Sequence, residues 1–242
     1  MKDDLVTSAA RNNALWCGAV CRANGKPGEF RDTLWLNRHG APRFYPDAVT
    51  MSGGAGDMEI VDAVADLVAT HPGRGWAVKD SFRRLDLKGS GFEPLFDAHW
   101  LCLATPREDR HQGSVTVVKT ATELTAWEKA WAGDEDSAEV SPFKPALLSN
   151  PEIVFASVIR DGVMKGGGIL NRGGGVVGIS NVFADPPFTD TVWRQLMALS
   201  ARICPDLPLV GYEHGSRFEA ACRNGFEPFG LLRIWVRETS PE

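Results

Sequence analysis

The 242-residue chain holds only two tyrosines, and nowhere does it approach eighteen consecutive apolar residues. A membrane-crossing helix needs about 18–20 of them, so no such helix is expected. The opening residues Met1-Lys2-Asp3-Asp4 are polar and lack the apolar stretch of a secretory signal, so none is expected. A basic surplus is also missing: 26 Lys and Arg stand against 31 Asp and Glu, for a net charge of −5. Binding to a phosphate backbone rests on clustered cations, so the composition argues against a nucleic-acid partner. Cysteines are few and odd in number (Cys17, Cys21, Cys102, Cys204 and Cys222), without CxxC or Cys/His zinc spacing. No disulfide framework and no metal site is expected, and scattered thiols in an acidic chain point to the cytoplasm. There is no Walker A loop and no Gly-x-Ser-x-Gly elbow, which removes P-loop and serine-hydrolase chemistry.

What the chain does have is an internal repeat. Leu36-Asn37-Arg38-x-Gly40 recurs as Leu170-Asn171-Arg172-x-Gly174, and Gly91-Phe92-Glu93-Pro94 recurs as Gly225-Phe226-Glu227-Pro228. Both matches lie at an offset of 134 residues, so the spacing between them is the same in each copy. Residues 1–106 and 113–242 are therefore read as two related units joined by a charged connection at 105–112.

Within the copies the segments run in parallel. Ala14 to Ala23 reads as an apolar strand matched by Ile153 to Arg160. Thr33–Leu36 and Gly168–Leu170 lead into the Asn-Arg turns. Arg43–Met51 and Val176–Ala184 follow as strands, with Pro46 placing the first at an edge or bulge. Residues 57–70 set Ile60, Val61, Val64, Leu67 and Val68 at helical spacing. Thr189 or Asp190 opens the counterpart helix. Each copy then offers a short strand (76–78; 207–212), an amphipathic helix stopping at Gly91 or Gly225, and a closing strand (95–104; 229–236). The second copy has an extra head, the strand 114–119 and a helix from Thr122. The Gly166–Gly168 and Gly173–Gly175 clusters adjoin strands, which suits bulges and tight turns rather than phosphate loops.

This order, with a helix that ends in Gly-Phe-Glu, resembles the GCN5-related N-acetyltransferase (GNAT) superfamily. The resemblance implies an α/β (α+β) fold: two GNAT-like units in tandem, each a mixed sheet flanked by helices. Residues 113–242 would be a complete unit and residues 1–106 a truncated one. It further implies acetyl-CoA as co-substrate, in a wedge where the fourth and fifth strands splay, with the pyrophosphate on a Gly-rich loop at a helix start. In the first copy that position is held by Val49, Met51, Ser52, Gly53, Gly54, Ala55 and Gly56, directly after the fourth strand. Gly54 and Gly56 match the family's small positions, whereas Met51 replaces its Gln or Arg, and Asp57 and Glu59 would oppose phosphate. A flexible loop before a capped helix is the competing reading. In the second copy the same place reads Asp185-Pro186-Pro187-Phe188-Thr189-Asp190, where two prolines delete donors, so CoA is expected in the first copy.

Acyl transfer to an amine needs a base and an acid. The family's usual Tyr, four residues before the Gly-Phe step, is replaced by Leu87 and Ala221. Tyr212-Glu213-His214, at the end of a strand, is the best alternative cluster. Side chains alternate along a strand, so one of Tyr212 and Glu213 faces the cleft. Tyr212 is the expected acid there, with Glu213 flanking the entrance; packing of the Tyr and capping of the next helix is the plain alternative. Lys79-Asp80-Ser81 and Tyr45 with Asp47 occupy the matching region of the first copy, where capping and core packing compete with chemistry. The chain is thus expected to be an acyl-CoA-dependent N-acyltransferase for a small-molecule amine. The alternative is an inactive GNAT-like protein that binds a ligand or partner.

Overall fold

The computed structural model describes residues 2–54, 56–71, 73–106, 114–133 and 141–238. Ala55, most of the 105–112 connection and half of the stretch 132–145 that follows the second copy's first helix therefore lie outside the described residues. The elements run α1 (Lys2–Ala23), β1 (Glu29–Phe30), β2 (Leu34–Leu36), β3 (Ala48–Thr50), α2 (Asp57–Thr70), β4 (Trp76–Asp80) and β5 (Glu93–Leu103). They continue β6 (Ser114–Val117), α3 (Ala121–Ala132), β7 (Ile153–Arg160), β8 (Val163–Gly173), β9 (Val176–Ala184), α4 (Thr189–Ile203), β10 (Leu209–Glu213), α5 (Gly215–Arg223) and β11 (Glu227–Arg237). This is an α/β fold of mixed sheets flanked by helices. No described helix is long and apolar enough to cross a membrane.

The chain divides into two compact units. Residues up to Trp100 join with those from Phe229 onward, and Leu101–Pro228 form the second unit. In the first unit β1 and β2 pair antiparallel, as do β2 and β3, while β3 and β4 run parallel. The second unit repeats that sequence of pairings: β7–β8 and β8–β9 antiparallel, β9–β10 parallel, with β6 on the far side of β7.

The partition departs from the 1–106 and 113–242 boundaries at the closing strand. β11 ends the second copy in sequence, yet it pairs antiparallel with β4, setting Trp235 opposite Val78. Trp235 is buried with Leu34, Val64, Leu87 and Phe92 in the first core. Burying an indole of this size stabilises by a few kcal/mol, which is reason enough for the strand to lie there. The last residues of β5, Leu101 and Leu103, pack instead in the second core with Leu209 and Phe226.

Three further departures have local causes. Ala14–Ala23 is helical, as the second half of α1: Ala10, Ala14, Cys17 and Cys21 recur every three or four residues and are all buried. The segment before Gly91 forms a 3-10 turn at Lys88–Ser90 rather than a helix. There the Asp80 carboxylate accepts the Leu85 N–H at 2.8 Å and the Phe82 N–H at 3.3 Å, and Arg83 adopts φ 53°. Those bonds hold the backbone in a turn and leave too few free residues for a helix. The strand read over Arg43–Met51 is cut to Ala48–Thr50, since the chain before it is tied by Asp47 to Ala41 and Ala77.

In the second unit the Gly166–Gly168 run is a strand irregularity, with register shifts on both of its sides. A Cβ on Gly168 would lie 2.7 Å from Leu196 of α4, and one on Gly167 would strike the Ala156 carbonyl. The bare backbone lets α4 seat Val192, Leu196 and Leu199 directly on the sheet. Gly174 and Gly175, with φ of 63° and 79°, make the tight turn from β8 to β9. α3 is started by a capping box: the Glu123 N–H donates to Thr120 Oγ1, and the Thr120 N–H donates to the Glu123 carboxylate.

Candidate functional site

In the second unit β9 and β10 pair in parallel at Val177–Leu209 and Gly178–Val210. They remain close as far as Ile179, whose carbonyl would lie 2.8 Å from a Cβ on Gly211. Beyond that point β9 is irregular, with Asn181 at φ 53° and a register shift against β8. A cavity of about 310 Å³ opens there. Val182, Phe183 and Ala184 of β9, Glu213 of β10, and Thr189 and Trp193 of α4 line it. Ser216, Arg217, Ala220 and Arg223 of α5 complete the lining. Its size falls in the range of about 300–1,000 Å³ usual for small-molecule sites.

Of the Tyr212-Glu213-His214 cluster, Glu213 is the residue on the cavity wall. Tyr212 is half-buried and off that wall, so strand alternation selects the carboxylate, where the phenol was expected. Burial pushes the Glu213 carboxyl up to about 7, while the Arg217 guanidinium pulls in the opposite direction. A carboxylate poised near neutrality suits proton transfer. His214 is exposed at the N-cap of α5, and its side chain makes no capping bond.

The first unit presents a different picture. β3 and β4 pair at Ala48–Val78 and Val49–Lys79, and the Ser81 N–H donates to Thr50 Oγ1 at 2.8 Å, carrying the link past the last pair. The Phe82 ring lies against Gly53, so close that a Cβ there would come within 2.6 Å of it. Val49 and Met51 are buried, and the Met51 N–H is taken by the Thr33 carbonyl. Ser52 and Gly54 are half-buried, and Gly56 is the N-cap of α2, at φ 124°. Asp57 of the first turn of α2 pairs with Arg84 at 3.2 Å. Lys79 is buried and donates from Nζ to Asn13 Oδ1 of α1 at 2.7 Å. Tyr45 and Asp47 are packed, the Asp47 carboxylate holding Arg74 and the Ala41 and Ala77 amides. Burial still raises the Asp47 carboxyl above the usual carboxylate range. The described candidate residues of this unit thus lie in turns or packed positions.

No model of a known protein family and no curated protein matches the sequence. Solved structures do match. A GCN5-related N-acetyltransferase from Kribbella flavida superposes with a TM-score of 0.67 at 17% identity, over 95% of both chains. A putative acetyltransferase of the GNAT family from Novosphingobium aromaticivorans gives 0.58 at 12% identity, over 97% of this chain and 99% of the other. The fold is that of the GCN5-related N-acetyltransferases. A tandem GNAT protein from the clavulanic acid biosynthesis pathway is also similar, with a TM-score of 0.55 at 10% identity, over 86% of this chain and 79% of that one.

Within the GNAT fold the cavity walls include Thr189, read in sequence only as a helix start, and three side chains that sequence reasoning passed over: Trp193, Arg217 and Arg223. The three-residue spacing of Arg217, Ala220 and Arg223 marks a shared helix face, though not the direction in which that face points. Among the described residues no group of three or more His, Cys, Asp or Glu side chains could hold a metal ion.

Proposed function

We propose that the protein is an acyl-CoA-dependent N-acyltransferase acting on a small-molecule amine, with acetyl-CoA as donor in the cavity of the second unit. The observation that carries this reading is the opening between β9 and β10, with the Glu213 carboxyl, pushed up to about 7, on its wall. The acceptor arrives as an ammonium ion. Glu213 takes its first proton; the amine nitrogen then bonds to the thioester carbonyl carbon, the C–S bond breaks, and the second proton shed by the nitrogen goes to the departing thiolate. Assigning the donor to Val49, Met51 and Ser52–Gly56 is the weaker alternative, because Phe82 and the Ser81–Thr50 bond close the corresponding gap in the first unit. The duplication itself is part of the proposal, supported by the common antiparallel, antiparallel, parallel order. A cytoplasmic setting fits the five free cysteines.

A second reading, a binding protein without transfer chemistry, is favoured by Ala221, which is fully buried where the family's resemblance puts an acid. Calorimetry with acetyl-CoA, followed by a thiol-release assay over a panel of small amines, separates the two. Binding with thiol release supports the transferase. Binding without release supports the second reading, and no binding contradicts both donor assignments.

A further inference from the structure

We propose that Arg217 and Arg223 of α5 bind the phosphates of the donor, in place of backbone amides at the start of α4. The inference rests on the acyl-CoA reading above and adds the residues that recognise the anionic end of the donor.

The α4 wall is poorly made for an anion. Pro186 and Pro187 have no N–H to offer, and Asp185 and Asp190 place carboxylates on either side of them. The α5 wall is the reverse. Arg217 and Arg223 both line the cavity, and they are the cations among its lining residues. Six residues along a helix is about 9 Å, with Ala220 midway on the same face. Ala220 carries only a methyl group, so the space between the guanidinium groups stays open for a phosphate chain. Guanidinium forks match phosphate oxygens in pairs, giving strong charge-assisted bonds.

Both side chains are available for this. Arg217 is exposed and, beyond its charge effect on Glu213, makes no hydrogen bond or ion pair among the described residues. Arg223 stands 3.8 Å from Asp190, with both groups more than half exposed. Asp190 also accepts from Asn224 Nδ2 at 3.0 Å, so it keeps a partner when Arg223 turns to a phosphate.

The test is calorimetric and uses two probes with the same thioester, acetyl-CoA and S-acetyl-pantetheine, of which only the first carries phosphates. Arg217→Gln and Arg223→Gln are each expected to weaken acetyl-CoA binding roughly 10-fold and the double variant roughly 100-fold, the scale of one or two charge-assisted bonds. S-acetyl-pantetheine should bind all variants as it binds the wild type. Arg194→Gln, on the exposed side of α4, is the control and should change neither. Unchanged acetyl-CoA affinity in the double variant overturns the inference, as does an equal loss for both probes. If the wild type binds neither probe, the acyl-donor reading itself fails and takes this inference with it.

Discussion

Replacing Glu213 with glutamine keeps the shape of the side chain and removes its charge. In the folded protein the carboxyl is pushed from 4.5 to about 7 by burial. At about 1.4 kcal/mol per tenfold change, ionising the half-buried Glu213 then costs the folded state up to about 3 kcal/mol. The pH window follows from the direction of the shift. Below pH 4.5 both folded and unfolded forms hold the proton, and wild type and Glu213→Gln should be equally stable. Between pH 4.5 and 7 the unfolded chain ionises while the folded one keeps its proton, so wild-type stability falls as pH rises. Above pH 7 both forms are ionised and the gap stays constant, with the variant the more stable by up to about 3 kcal/mol. Urea unfolding followed by tryptophan fluorescence at unit steps from pH 4 to 8 measures this. Wild-type and variant stabilities that run parallel across the range would refute the buried-carboxylate argument.

Other expectations follow from the same geometry. If Glu213 is the base, the wild-type transfer rate should rise with pH through about 7, and Glu213→Gln should lose roughly 10²–10⁴-fold at pH 8; a rate independent of pH and of the substitution would remove Glu213 from the chemistry. Tyr212→Phe should leave kcat within about twofold, since the ring lies off the cavity wall; a large drop would restore the phenol as the acid. Gly167→Ala should destabilise by about 1–3 kcal/mol in urea, because the added methyl meets the Ala156 carbonyl and the Trp127 indole; an unchanged midpoint would show that the bulge can absorb it.

Much of this fold can be read from local pattern. Ile60, Val64 and Leu67 announce α2 by spacing alone and are buried on it, and the glycines at 166–168 and 173–175 are found in a bulged strand and a turn. Reading fails where two solutions share one pattern. Tryptophan, cysteine and valine near residues 16–21 suit a buried strand as well as a helix packed on several sides, and α1 is the latter. β11 has the alternation of a strand in either unit. What sends it to β4 is the fit of Trp235 among Leu34, Val64 and Phe92, a three-dimensional match with no one-dimensional trace. At the site, alternation says that Tyr212 and Glu213 face opposite ways, but only the fold shows that Glu213 is the one on the cavity wall. The Gly-rich loop at Ser52–Gly56 looks open in sequence, and only the fold brings Phe82 against Gly53.

The central claim, that the second unit's cavity takes the acyl donor, is tested most directly by filling one gap at a time. Ser216 is exposed and lines the cavity, so Ser216→Trp blocks it from the solvent side without touching the core. Ser52→Trp places the same bulk in the first-unit loop. In calorimetric titrations with acetyl-CoA, Ser216→Trp is expected to abolish the binding shown by wild type, and Ser52→Trp to retain it. Loss of binding in Ser52→Trp with wild-type affinity in Ser216→Trp would contradict the account and move the donor to the first unit.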